Sequence, residues 1–227
     1  MSIKKIIAFG SAKGGVGKSS VTASIALSLS KHNSVGILDA DIYGPNQHLL
    51  FDINEKPIVD KKSIKPIDKN NIKIISMGNL LENDKAAIWR GPMLSGAIKQ
   101  LINSTQWGEL DFLLIDMPPG TGDAYLTIFN ELKVDEFILV TNSNKLALSD
   151  LKKTVSMIKK FKINILGYIN NNIFNSEINE DDYFKLNGIE LLGNFLFDNN
   201  IYNFDLNYDS EISNIISDKI VSMTKNL

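Results

Sequence analysis

Apolar, β-branched runs of strand length alternate along this chain with stretches whose apolar residues recur at helical spacing. Residues 5–9, 35–39, 72–76, 112–116, 136–141 and 165–169 predict strands, and 190–196 a last short one. Residues 18–31, 92–103, 124–131, 146–161 and 209–225 predict helices. Such alternation predicts an α/β fold, a mostly parallel twisted sheet with helices on both faces. Runs such as Ile37-Leu38-Asp39-Ala40-Asp41 and Leu113-Leu114-Ile115-Asp116-Met117 are apolar without alternation, as strands covered on both faces require. Their aspartates then emerge at the carboxyl edge of the sheet, where ligands of open α/β sheets bind. Residues 52–71 read as an irregular excursion and 170–187 as a polar loop; no internal repeat is present.

Composition narrows the picture. A chain of 227 residues with 44% hydrophobic content suits one compact domain, 1–227. Net charge is −2 and the lysines are scattered, so no nucleic-acid footprint is expected. No apolar run reaches membrane-span length, and Met1 leads into the first strand without a signal-peptide core, so no membrane association and a cytoplasmic location are expected. Cysteine is absent, which excludes disulfides, thiol nucleophiles and clusters held by this chain's own thiolates. With only His32 and His48, a zinc site is not expected, and each reads as a surface or capping residue.

The chemistry begins at Ala12-Lys13-Gly14-Gly15-Val16-Gly17-Lys18-Ser19-Ser20, after the run Ile6-Ile7-Ala8-Phe9. This is a phosphate-binding loop of the form G-x-x-x-x-G-K-[ST] with Ala12 at the first glycine position. Backbone N–H groups of Gly14, Gly15, Val16, Gly17, Lys18, Ser19 and Ser20 cradle phosphates, Lys18 reaches the β/γ-phosphates and Ser19 holds Mg²⁺. A helix opening at Gly17 adds its positive dipole end. Lys13 has no task in an ordinary loop of this kind. The pattern K-G-G-V-G-K-S resembles the deviant Walker A group of dimeric ATPases, which implies that Lys13 reaches the partner's nucleotide.

Downstream, Asp39 and Asp41 in Leu-Asp-Ala-Asp-Ile-Tyr-Gly-Pro-Asn and Asp116 in Ile-Asp-Met-Pro-Pro-Gly-Thr-Gly-Asp fall at strand ends. A phosphoryl-transfer site needs carboxylates to hold Mg²⁺, usually through water, and one to orient the attacking water. Asp116 takes the Walker B role and Asp41 the water-orienting switch I role. Asp39 supports the loop or the Mg²⁺ shell, or else caps the following helix. The Pro- and Gly-rich run after Asp116 reads as a switch that orders with the γ-phosphate and relaxes after hydrolysis.

Trp89-Arg90-Gly91-Pro92-Met93, Trp107-Gly108-Glu109-Leu110-Asp111, Asp116-Met117-Pro118-Pro119-Gly120-Thr121-Gly122-Asp123 and the Asp39 to Asn46 run together resemble the Mrp/ApbC family of iron–sulfur cluster carrier ATPases. The resemblance is dense over residues 4–126 and thins beyond. It implies a P-loop NTPase fold and a Mg-ATP-hydrolysing homodimer, of one superfamily with MinD, ParA and the nitrogenase iron protein, that binds an iron–sulfur cluster and passes it to apo-client proteins. The extra N-terminal domain of some members is expected to be missing. In Gly167-Tyr168-Ile169-Asn170-Asn171-Asn172, the asparagine after the strand resembles the family's Glu-Asn-Met, which implies that Asn171 reads adenine; the alternative is a solvated loop residue.

Where the family pattern then has Cys-x-x-Cys, this chain has Ile173-Phe174-Asn175-Ser176-Glu177-Ile178-Asn179-Glu180. Glu177 and Glu180 are harder ligands than iron–sulfur clusters prefer. The expectation is an ATPase whose own residues hold no cluster, with thiolates supplied by a partner or a small thiol, or a regulator that has lost cluster binding. The competing class is a MinD- or ParA-like positioning ATPase. Against it, Ile212, Ile215, Ile216 and Ile220 recur at helical spacing among mixed charges, which suits core packing better than a basic membrane-surface helix. A small-molecule kinase is a more distant alternative, for no acceptor site is recognisable.

Overall fold

The computed structural model describes residues 2–60, 63–80, 91–142, 145–172, 184 and 187–225. Its strands are β1 (Ser2–Gly10), β2 (Val35–Asp39), β3 (Ile58–Asp60), β4 (Ser63–Lys65), β5 (Ile67–Lys69), β6 (Ile72–Ser76), β7 (Glu109–Asp116), β8 (Glu136–Thr141), β9 (Asn164–Asn172) and β10 (Leu191–Leu196). Its helices are α1 (Lys18–Leu29), α2 (Gln47–Leu50), α3 (Met77–Leu80), α4 (Gly91–Ser104), α5 (Asp123–Glu131), α6 (Lys145–Lys160), α7 (Asn199–Tyr202) and α8 (Glu211–Lys225). One eight-stranded sheet runs β10-β9-β8-β1-β7-β2-β6-β5, and β3 and β4 form a separate pair. Neighbours in the large sheet are parallel except β5 against β6.

The period-two alternation of a strand explains why the sequence runs are apolar throughout. Ile7, Phe9, Ile37, Leu114 and Ile138 point to one face, where α1 and α8 cover them through Val21, Ile25, Leu29, Ile216 and Ile220. Ala8, Leu38, Leu113, Ile115 and Leu139 point to the other, under Leu94 and Ile98 of α4, Tyr125 and Ile128 of α5, and Leu151 and Val155 of α6. In α8 the inward stripe is Ile212, Ile216 and Ile220, whereas Ile215 is 46% exposed and takes no part in it. Among the described residues, no helix is long and apolar enough to cross a membrane.

Two expectations are corrected here. Residues 52–71 are not wholly irregular: they carry β3 and β4, paired antiparallel, and β5, which returns on β6 through Asn70 and Asn71. Both asparagines adopt left-handed backbone, φ 50° and 60°, the conformation that a two-residue hairpin demands and that Asn tolerates. Pro57 and Pro66 flank runs of only three residues, too short for periodicity to register. The polar loop expected from Asn170 likewise starts later, because β9 runs to Asn172. Its polar residues are accommodated by pairing: Asn170 Nδ2 donates to Asn194 Oδ1 of β10 at 2.9 Å, directly across the ladder. Trp89, Arg90, Glu177 and Glu180 lie outside the described residues.

Candidate functional site

The parallel register fixes where the acids stand. β2 and β7 align Asp39 opposite Asp116, and β1 and β7 align Phe9 opposite Asp116, so the ends of three adjacent strands meet where the chain leaves β1. The segment after β1 crosses this edge as a tight loop with left-handed Gly15 and Gly17, φ 77° and 80°. Such backbone is unstrained only for glycine. Gly17 is also the N-cap of α1; it makes no side-chain cap, and the first turn holds no acid. The N–H groups there keep their hydrogen-bonding capacity for an anion.

The loop is braced from behind. Asn171 Nδ2 donates to the Val16 carbonyl at 2.9 Å, and a Cβ at residue 17 would run into that amide. The Pro-rich segment is tied on as well: the N–H of Gly120 donates to Ser11 O at 3.0 Å, and that of Met117 to Phe9 O at 3.0 Å. A cavity of about 620 Å³ opens over the loop, walled by Lys13, residues 14–20, Asp41, Asn46 and Pro119. Its far side is Leu49, Leu50, Tyr202, Asn203, Phe204 and Leu206.

Each acid has a distinct setting. Asp116 is fully buried; one oxygen is ion-paired with Lys18 Nζ, and the other accepts from Gln47 Nε2 at 2.8 Å. Asp39 is also fully buried and accepts from the backbone N–H groups of Asp41 (3.2 Å), Asn46 (3.0 Å) and Gln47 (3.0 Å) and from the Ser76 hydroxyl (2.8 Å). Burial and, next, the Asp116 carboxylate push its carboxyl up to about 7, against the pull of the Gln47 N–H, the Ser76 hydroxyl and the Lys18 charge. Asp39 thus holds the start of α2, the capping alternative, and does not border the cavity. Asp41 does border it, 8% exposed; burial raises its carboxyl while Lys18 pulls the other way, and its Oδ1 accepts from Gly44 N at 3.1 Å. Lys13, half-exposed at the rim, pairs with Asp150 of α6 at 3.2 Å.

The site therefore gathers Lys13, residues 14–20, Asp41 and Asp116 within one edge, with Asp39 beneath and Asn171 behind the loop. Sequence reasoning missed Gln47 and the Tyr202–Phe204 wall. The second carried a signal, since Asp198 caps α7 by accepting from Asn200 N at 2.8 Å and Ile201 N at 3.3 Å, a pattern of Asp before a short turn. The first carried none.

Among the described residues, no group of three or more His, Asp or Glu stands close enough to hold a metal alone. The donors present are oxygens: the Ser19 hydroxyl, Asp116, and a buried Gln47 Oε1 without a partner. Such a set fits Mg²⁺, which is held by one or two protein oxygens together with phosphates and water.

Comparison with known proteins agrees with this geometry. A family model described as ParA, NUBPL iron-transfer P-loop NTPase, matches residues 2–195. An iron–sulfur cluster carrier protein of Pseudomonas fragi is 46% identical over 173 residues, 74% of this chain and 60% of the relative. The iron–sulfur cluster transfer protein NUBPL of Dictyostelium discoideum is 45% identical over 173 residues, 74% of this chain and 54% of the relative. This chain thus spans little more than half the length of these curated relatives. Among solved structures, a nucleotide-binding protein from Archaeoglobus fulgidus in complex with ADP is similar, with TM-score 0.75 and 29% identity over 96% of this chain and 88% of that one. The septum site-determining protein MinD from Pyrococcus horikoshii, complexed with Mg-ADP, shares the fold, with TM-score 0.76 and 24% identity over 98% of this chain and 99% of that one.

Proposed function

We propose that this chain, which belongs to the family of NUBPL iron-transfer P-loop NTPases, binds and hydrolyses Mg-ATP as a homodimeric ATPase domain acting in iron–sulfur cluster assembly or transfer. The observation that carries the reading is the convergence of Lys18, Ser19 and buried Asp116 under a glycine cradle open to a cavity of about 620 Å³. Successive N–H groups of the loop bind the phosphates, and Lys18 leaves Asp116 to neutralise the β/γ oxygens. That exchange frees an Asp116 oxygen; Ser19 and Asp116 would then hold Mg²⁺, the carboxylate through water. Mg²⁺, when bound, would supply charge neutralisation to the transferring phosphoryl group.

Asp41, at the cavity wall, orients the attacking water. Asp39 anchors the segment between Asp41 and α2, so that the water-orienting carboxylate is presented by a fixed backbone. Lys13 gives up Asp150 and reaches the partner's nucleotide, where a cation from outside stabilises charge developing on the transferred phosphoryl. Asn171 holds the loop through its amide nitrogen and would meet adenine through its amide oxygen.

The cargo is a separate matter. A bridged cluster is normally held by thiolate sulfurs, and this chain has no cysteine. Its part is accordingly that of the ATP-driven switch, with thiolates coming from another chain or a small thiol. The test is phosphate release with Mg-ATP alongside light scattering with a non-hydrolysable ATP analogue. Turnover and an analogue-dependent dimer are expected; a monomer without turnover refutes the reading.

A further inference from the structure

Gln47 is the first residue of α2, has no exposure, and is hydrogen-bonded to both fully buried acids, Asp39 and Asp116. Its N–H donates to Asp39 Oδ2 at 3.0 Å, while its side-chain Nε2 donates both to the Ser19 carbonyl at 3.0 Å and to Asp116 Oδ2 at 2.8 Å. Because both side-chain partners are acceptors, only the nitrogen can face them, which fixes the amide's orientation. Gln47 Oε1 is thereby left buried with no partner. Orphaned buried acceptors are rare in folded proteins and call for an explanation. This one stands on an amide that bridges Ser19 to Asp116, the two residues assigned to the cation. A hydrated Mg²⁺ keeps several waters, and each turns its hydrogens outward in need of acceptors.

We propose that Gln47 is a positioning residue for Mg²⁺: its amide nitrogen sets the Asp116 carboxylate and the Ser19 backbone, and its orphaned oxygen accepts a hydrogen from a Mg²⁺-bound water. The inference rests on the Mg-ATP reading above. Since Gln47 is also hydrogen-bonded to Asp39, arrival of the cation is registered by the segment that carries Asp41. Selectivity follows from the same geometry, because the amide oxygen reaches the cation through water and suits an ion that keeps its hydration.

The test is a titration of the 227-residue chain with a fluorescent ATP analogue, first in EDTA and then with rising Mg²⁺. For Gln47→Met, half-saturating Mg²⁺ should rise by about 10- to 100-fold, as is typical on losing a partner of a metal's ligands, and by more than any loss of analogue affinity in EDTA. Gln47→Asn withdraws both ends of the amide by one methylene and should raise half-saturating Mg²⁺ as well. This more conservative variant keeps the idea testable if the Met variant folds poorly. Unchanged Mg²⁺ dependence in either folded variant overturns the role of Gln47 alone. Analogue binding by wild type that is indifferent to Mg²⁺ overturns the Mg-ATP reading and this inference with it.

Discussion

Lys18 and Asp116 form an ion pair that is closed to solvent, with side-chain exposures of 6% and 0%. The lysine that should bind phosphate is therefore the counter-ion of the carboxylate that should serve the cation, and an arriving nucleotide must part them. Lys18→Ala removes this counter-ion while Gln47 still donates to the carboxylate. Breaking a buried pair on one side costs about 3 to 5 kcal/mol, and the remaining amide bond puts the expected loss at the lower end. Urea unfolding without nucleotide should show this loss, and added ATP, which stabilises wild type, should give the variant no shift.

Lys13 meets Asp150 at 3.2 Å with both side chains at least one-third exposed. Solvent screens a pair this exposed and leaves it weak, so it restrains Lys13 without locking it. Asp150→Asn should leave both stability and turnover near wild type. Lys13→Ala should bind ATP normally yet lose turnover by about 10³-fold or more, the usual worth of a cation supplied in trans. Phosphate release and a binding isotherm on the same preparations separate the two outcomes.

Asp41→Asn keeps an oxygen to accept the Gly44 N–H but lacks the carboxylate needed to orient water. Turnover should fall by about 10²- to 10³-fold with ATP affinity retained. Light scattering with ATP itself should then report an accumulated dimer. Rapid return to monomer would argue that another group orients the water.

Asp111 ties the amino edge of the sheet together: Oδ1 accepts from Lys4 Nζ at 2.7 Å, and Oδ2 from Ser34 N at 2.8 Å and Ser34 Oγ at 2.7 Å. The Lys4 hydrogen bond first, and those from Ser34 next, hold its carboxyl down to about 2, well below the usual carboxylate range. A depressed acid stabilises the fold above its unfolded pKa and stops doing so as pH falls through its folded one. Asp111→Ala should cost about 1 kcal/mol at pH 7, since the site is partly solvated. The difference from wild type should shrink between pH 4 and pH 2, as read from urea midpoints.

Anaerobic reconstitution of the purified protein with iron and sulfide should give no stoichiometric cluster, because none of its 227 residues is a cysteine. A stable visible chromophore with stoichiometric acid-labile sulfide on this protein alone would overturn that, and would direct attention to oxygen ligands such as Glu177 and Glu180.

The strands that bound the site were legible in the sequence, because a buried parallel strand must be apolar on both faces and the runs ending at Asp39 and Asp116 are apolar throughout and too short for helices. So was the loop, since left-handed Gly15 and Gly17 and the Lys18-Ser19 pair are local chemistry that neighbours in sequence complete. What pairing across the sheet imposes emerges only on folding. The register sets Asp39 opposite Asp116, and though both read alike as strand-end acids their partners differ: Asp39 accepts from the N–H groups of Asp41, Asn46 and Gln47 and from the Ser76 hydroxyl, whereas Asp116 meets Lys18 and the Gln47 amide. Asn171 lies 155 positions from the Val16 carbonyl it braces, and Gln47 lies 69 positions from Asp116. Hydrogen bonds between residues that far apart leave no periodicity behind. They exist only where folding has brought separate strand ends and a short helix to one edge, and there an amide indistinguishable in sequence from any surface glutamine becomes buried.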